Sequence, residues 1–80
     1  MGNYERTYKR IDELEQNKKF ILSEIESMRN RIATSNDIAE QTLLADLIES
    51  YRDDLYEVTI ELGENYGYLR ELESIDGADY

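Results

Sequence analysis

The sequence predicts an all-α fold, an antiparallel hairpin of two long helices that dimerises into a four-helix bundle. In two stretches of the chain, apolar residues recur at alternating intervals of three and four residues. This coiled-coil-like spacing places side chains on one seam of a helix that packs against another helix. A polar segment at residues 33–37 separates the two stretches and is rich in turn and capping residues. Residues 1–80 are therefore expected to form a single helical domain.

The first helix is expected over about residues 4–32. That stretch contains neither proline nor glycine, and good helix formers dominate its polar positions. Thr7 and Lys18 are the two polar residues on its stripe. The apolar members of the first stripe are Tyr4, Ile11, Leu14, Ile21, Ile25, Met28 and Ile32.

The second helix is expected to begin at about residue 37, after a loop over residues 33–37. Asp37 followed three residues later by Glu40 has the arrangement of a capping box, with Ser35 and Asn36 as alternative caps. The second stripe consists of Gln41, Leu44, Ile48, Tyr51, Leu55, Val58, Leu62, Asn65, Leu69 and Leu72, of which Gln41 and Asn65 are the polar exceptions.

The register of the hairpin depends on where the loop turns. An apex near residues 34–35 places Tyr4 opposite Asn65 and Lys18 opposite Tyr51, with Asp54 close to the ammonium group of Lys18. The alternative register slides the helices by one heptad. Polar residues at seam positions commonly select register or partner number at some cost in stability, and we assign that role to Lys18 and Asn65.

Gly63 and Gly67 leave the end of the second helix open to two interpretations. In the first, the helix continues to about residue 74, and the two small residues allow close approach of a neighbour. In the second, the helix ends near Gly63, which forms a C-cap, and a short third helix follows. The unbroken seven-residue phase favours the continuous helix. Residues 75–80 are expected to form a frayed tail.

A homodimer is predicted because one seam between two helices gives only a thin core for 80 residues, and no cysteine is present to form a disulfide. The helices also carry more apolar residues than one seam requires, and such a surplus usually marks an interface. The surplus residues are Tyr8, Phe20, Leu22, Leu43, Leu47, Tyr56, Ile60, Tyr66 and Tyr68.

The formal net charge of −10 is distributed unevenly. Residues 1–33 carry seven basic and six acidic side chains, whereas residues 34–80 carry two basic and thirteen acidic ones. The first part is therefore near neutral and the second part has a charge of −11. Such a surface repels nucleic acid and anionic membranes and attracts basic partners. Because no apolar run approaches the ~20 residues that span a bilayer, we expect a cytoplasmic protein that binds neither nucleic acid nor a membrane.

Catalysis is not expected. The chain has no histidine and no cysteine, so ordinary zinc sites and the usual nucleophile–base pairs are excluded. Carboxylates are plentiful, but paired acids need a walled pocket to separate their pKa values, and a two-helix rod does not provide one. The sequence therefore predicts no enzyme activity, no cofactor and no metal site.

Acidic residues alternate with apolar ones on the outer face of the second helix, and this surface is the candidate partner-binding site. Its predicted residues are Asp46, Glu49, Asp53, Tyr56, Glu57, Ile60 and Glu64. We expect an inhibitor or regulator that docks on a basic surface of another protein, including a surface that holds nucleic acid, which the acidic face would mimic. Small acidic helical proteins that the chain resembles in class include phage-encoded inhibitors and assembly adaptors. The alternative function is a coiled-coil scaffold or assembly adaptor whose dimerisation is the function.

Overall fold

The fold is a hairpin of two α-helices. The computed structural model of the chain describes residues 3–78 and, for side chains, residues 4–73. Helix α1 spans Asn3–Thr34 and helix α2 spans Ile38–Ala78. The two helices pack along each other in a rod of 64 × 16 × 15 Å. The prediction of an all-helical hairpin is confirmed for the described residues, which contain no strand.

The core is the single seam between the helices. Every apolar residue of the two predicted stripes is buried or half-buried, and Thr7 is buried with them. The core is nevertheless thin: Leu44, its most buried member, keeps 3% of its surface exposed, and no large side chain in the described part is completely buried. Among residues 4–73 the buried core residues are Ile11, Leu14, Ile21, Ile25, Met28, Leu44, Ile48, Val58, Leu62 and Leu69.

The loop at residues 35–37 is held by side-chain bonds to the backbone. The Oδ1 atom of Asp37 accepts a hydrogen bond from the Ala39 N–H at 3.0 Å, so Asp37 caps α2 as predicted. The second half of the expected capping box differs, because the Asp37 N–H donates to the Ser35 hydroxyl at 3.1 Å and the Glu40 carboxylate pairs with Arg31. Gln41, a polar stripe residue, donates from Nε2 to the Ser35 carbonyl at 2.8 Å.

Two ion pairs join the helices and report their register. Arg31 contacts Glu40 at 3.5 Å near the loop, and Arg10 contacts Glu61 further away. The members of the two pairs are 21 residues, or three heptads, apart on each helix. Both pairs lie two residues further along α2 than the expected register places them, and the loop is displaced in the same direction, with its centre at Asn36 instead of residues 34–35. The hydrogen bond to the Glu61 carboxylate raises the pKa of the Arg10 guanidinium group.

Helix α2 passes through Gly63 and Gly67 without interruption, so no third helix forms among residues 3–78. Neither glycine is approached closely by α1 within the hairpin. A Cβ atom built on either glycine has nothing within 4 Å, so both glycines face open space. Helix α2 also extends to Ala78, into the segment expected to be frayed, while residues 79–80 of that tail lie outside the described residues.

Candidate protein-binding surface

The predicted acidic residues form a row along the outer side of α2, which we call the acidic ridge: Asp46, Glu49, Asp53, Glu57 and Glu64. All five residues are exposed. Positions 46, 53 and 60 recur every seven residues on the side of α2 opposite its buried seam, so the ridge faces away from α1.

The charges of the acidic ridge are not neutralised within the hairpin. The ion pairs among residues 4–73 are Arg10–Glu13, Arg10–Glu61 and Arg31–Glu40. None of them includes a residue of the acidic ridge. Three- and four-residue spacing brings like charges together on a helix face and is mildly destabilising. The acidic ridge therefore contributes no ion pair to the described part of the fold, and its field extends into solvent.

Two apolar side chains stand next to the acidic ridge. Tyr56 is 69% exposed and Ile60 is 45% exposed, one turn apart on α2. An exposed tyrosine beside an exposed isoleucine offers apolar area together with a hydroxyl group, a combination enriched in protein interfaces. The structure thus brings the seven predicted site residues together on the outer part of one helix, over positions 46–64.

The two polar stripe residues predicted to select the register have different surroundings. Lys18 is half-buried but forms no ion pair with any residue in the range 4–73, so the expected contact with Asp54 is absent there. Asn65 donates from Nδ2 to the Glu61 carbonyl of its own helix at 2.8 Å. Asn65 is therefore satisfied locally.

The two long edges of the hairpin, on either side of the seam, differ. The edge that carries Arg10–Glu61 and Arg31–Glu40 is closed by these ion pairs, and we call it the closed side. On the opposite edge, the open side, a groove of about 420 Å³ runs between the helices. It is lined by Leu22, Ile25, Glu26, Arg29, Arg52 and Leu55.

The open side is a feature that reasoning from the sequence missed. A second, smaller groove adjoins the first at Leu22 and includes Lys18 and Lys19. Arg29 and Arg52 come from different helices to the same groove, and neither forms an ion pair among residues 4–73. The sequence contained one indication of this side, Arg52, which is one of the two basic residues in the acidic part of the chain, residues 34–80.

The described residues offer neither a metal site nor a membrane-spanning segment. They contain no group of three or more histidine, cysteine, aspartate or glutamate side chains arranged to hold a metal ion. Neither helix has, over that part of the chain, an apolar stretch long enough to cross a membrane. No known protein family, curated protein or solved structure matches the chain.

Proposed function

We propose that the hairpin is a non-catalytic protein-binding module, an inhibitor or regulator that docks through the acidic ridge on a basic surface of a partner protein. The observation that carries the proposal is the set of five exposed carboxylates on α2 that form no ion pair within residues 4–73. A row of unneutralised like charges attracts a surface of opposite charge over about one Debye length, or ~10 Å at 0.1 M salt.

The charge density of the acidic ridge limits the kind of complex. From Asp46 to Glu64 the ridge is about 27 Å long at ~1.5 Å per residue, and its five carboxylates follow one another at steps of roughly 5–10 Å along the helix axis. One strand of duplex DNA carries a charge every ~3.4 Å. The acidic ridge is therefore a sparse mimic of a nucleic-acid strand, and charge alone would bind less tightly than DNA does.

Apolar contact supplies the remaining affinity in this proposal. Tyr56 and Ile60 lie within the length of the acidic ridge and are both exposed. Aromatic residues near the centre of an interface commonly carry much of its binding energy. Charge then governs the rate of encounter, whereas Tyr56 and Ile60 govern the lifetime of the complex.

The test is kinetic. Affinity capture from the native host followed by mass spectrometry identifies the partner, and its association and dissociation rates are measured from low to high salt. The variant Asp53→Lys/Glu57→Lys should associate more slowly, and Tyr56→Ala should dissociate faster. The matched control is Glu5→Lys/Asp12→Lys, which makes the same change in net charge on α1. An association rate insensitive to both salt and the Asp53/Glu57 reversal would contradict the proposal.

A second candidate function is a scaffold or assembly adaptor whose homodimer is a four-helix bundle. Two observations favour it: no large side chain in the described part is completely buried, and many large apolar residues stay exposed on both helices. Sedimentation equilibrium at micromolar concentration tests it, with a mass of twice 9.4 kDa expected. Capture of structural or assembly proteins from the host would support this function over inhibition. A cooperatively folded monomer would exclude the dimer.

A further inference from the structure

We propose that a second copy of this chain occupies the open side of the hairpin, so that α2 of each copy lies along α1 of the other. This inference rests on the dimer of the second candidate function and assigns the interface. The closed side already has its Arg–Glu pairs, Arg10–Glu61 and Arg31–Glu40. The open side has no ion pair among residues 4–73 but has grooves between and beside the helices, with Leu22 common to both. It is crossed by a hydrogen bond that the Tyr66 hydroxyl donates to Glu15 Oε1 at 3.5 Å.

The uneven charge of the two helices selects the arrangement. Two hairpins packed face to face can place like helices together or place α1 of one copy against α2 of the other. Residues 34–80 carry thirteen acidic and two basic side chains, whereas residues 1–33 carry six acidic and seven basic ones. Placing α2 against α2 would bring two strongly negative helices side by side. Placing α1 against α2 puts the negative helices on a diagonal, each between two near-neutral ones.

Lys19 of the open side comes close to an acidic residue of a second α2. Lys19 and Arg29 line the grooves on α1 without an ion pair among the described residues. If a twofold axis parallel to the rod relates the two copies, equivalent residues of the two copies lie at the same height along the rod. The Arg31–Glu40 and Arg10–Glu61 pairs then place Lys19 at the height of Arg52 of the second copy and within about one turn of Glu49, which lies on the same line of α2 as Gly63.

The same heights place a large side chain against a small one. Tyr8 is 53% exposed and lies on the open side of α1, two residues from Arg10. Because Arg10 is level with Glu61, Tyr8 is level with Gly63. A Cβ atom on Gly63 would meet nothing within 4 Å in the hairpin. The Tyr8 ring of one copy can therefore rest on the bare backbone at Gly63 of the other.

The area of the open side is sufficient for a stable dimer. The two-helix part of the rod is about 48 Å long, the length of the 32-residue α1 at ~1.5 Å per residue, and 16 Å wide, so it offers about 770 Å² per copy. Covering it on two copies removes about 1,500 Å² from water, within the standard range for specific interfaces.

The two glycines of α2 give a matched test. Gly63→Gln and Gly67→Gln each introduce a good helix former at a position with open space in the hairpin. Position 63 faces the second copy in the proposed dimer, whereas position 67 lies seven residues from Ile60 on the outer line of α2. We expect Gly63→Gln to weaken the dimer about 10- to 100-fold, the effect of overpacking an interface, and Gly67→Gln to change it less than about twofold.

The measurement is the dimer dissociation constant from sedimentation equilibrium, with helicity followed by circular dichroism to show that both variants fold. A wild-type protein that stays monomeric excludes both the dimer and this interface. A wild-type dimer that tolerates Gly63→Gln as well as Gly67→Gln excludes only the open side as the interface. A wild-type dimer weakened selectively by Gly63→Gln supports the inference. Phe20→Ser, on neither groove, should leave the dimer intact.

Discussion

Leu14 gives the sharpest test of the seam. Its side chain is 4% exposed and belongs to the core between the helices. Leu14→Ala removes three carbon atoms from this core, and at ~0.8 kcal/mol per buried methylene the transfer cost is about 2–3 kcal/mol. The cavity cost should be small because the two-helix core is thin and can collapse, which places the total near the low end of the ~2–5 kcal/mol range for such substitutions.

Urea unfolding followed by circular dichroism measures the free energy of unfolding, at one fixed protein concentration because a dimer makes stability depend on concentration. Leu43→Ala is the matched control, since Leu43 is 60% exposed and its truncation should cost less than about 1 kcal/mol. Leu55→Ala should fall between the two because Leu55 is half-buried. Equal unfolding midpoints for Leu14→Ala and Leu43→Ala would refute the assignment of the seam.

Three further predictions concern the loop, an ion pair and a glycine. Asp37→Ala should lower the free energy of unfolding by about 1 kcal/mol because the Ala39 N–H loses its acceptor; Asp37→Ser should restore most of it in the same urea titration. Arg10→Gln should lower the melting temperature in low salt and have no effect in high salt, because the pair with Glu61 is exposed. The raised pKa of Arg10 means that this stabilisation is present below the unfolded pKa and is lost only above the folded one, so Arg10 adds no pH dependence near neutrality. Gly67→Ala should raise the free energy of unfolding by about 1 kcal/mol, and an unchanged or lower value would contradict the open surroundings of Gly67.

The seam was predictable because burial in a helical hairpin follows from spacing alone. Residues at intervals of three and four lie on one side of a helix, so they are buried together when that side packs against another helix. Even the polar stripe residues Lys18, Gln41 and Asn65 are half-buried in the structure. The cap at Asp37 was predictable for a similar reason, since it depends on neighbours in the sequence.

The register and the two edges were not predictable in the same way. The register depends on the loop, where the Gln41 side chain reaches back to the carbonyls of Ser35 and Ile32, and spacing does not indicate such a bond. The closed side depends on which arginine meets which glutamate. Arg10 has two glutamate partners, Glu13 on its own helix and Glu61 on the other. Only the three-dimensional pairing leaves the opposite edge open.

Salt offers a way to separate the candidate roles of the acidic ridge. Within the hairpin, the unpaired carboxylates of α2 repel one another, so screening them should raise the free energy of unfolding of the isolated protein. In a complex with a basic partner the same screening should slow association. These two responses have opposite signs and arise from the same residues, so Asp53→Lys/Glu57→Lys should reduce both. A variant that loses the stabilisation by salt but keeps a salt-sensitive association rate would show that the partner contacts other charges of the chain, and the acidic ridge would then lose its proposed role.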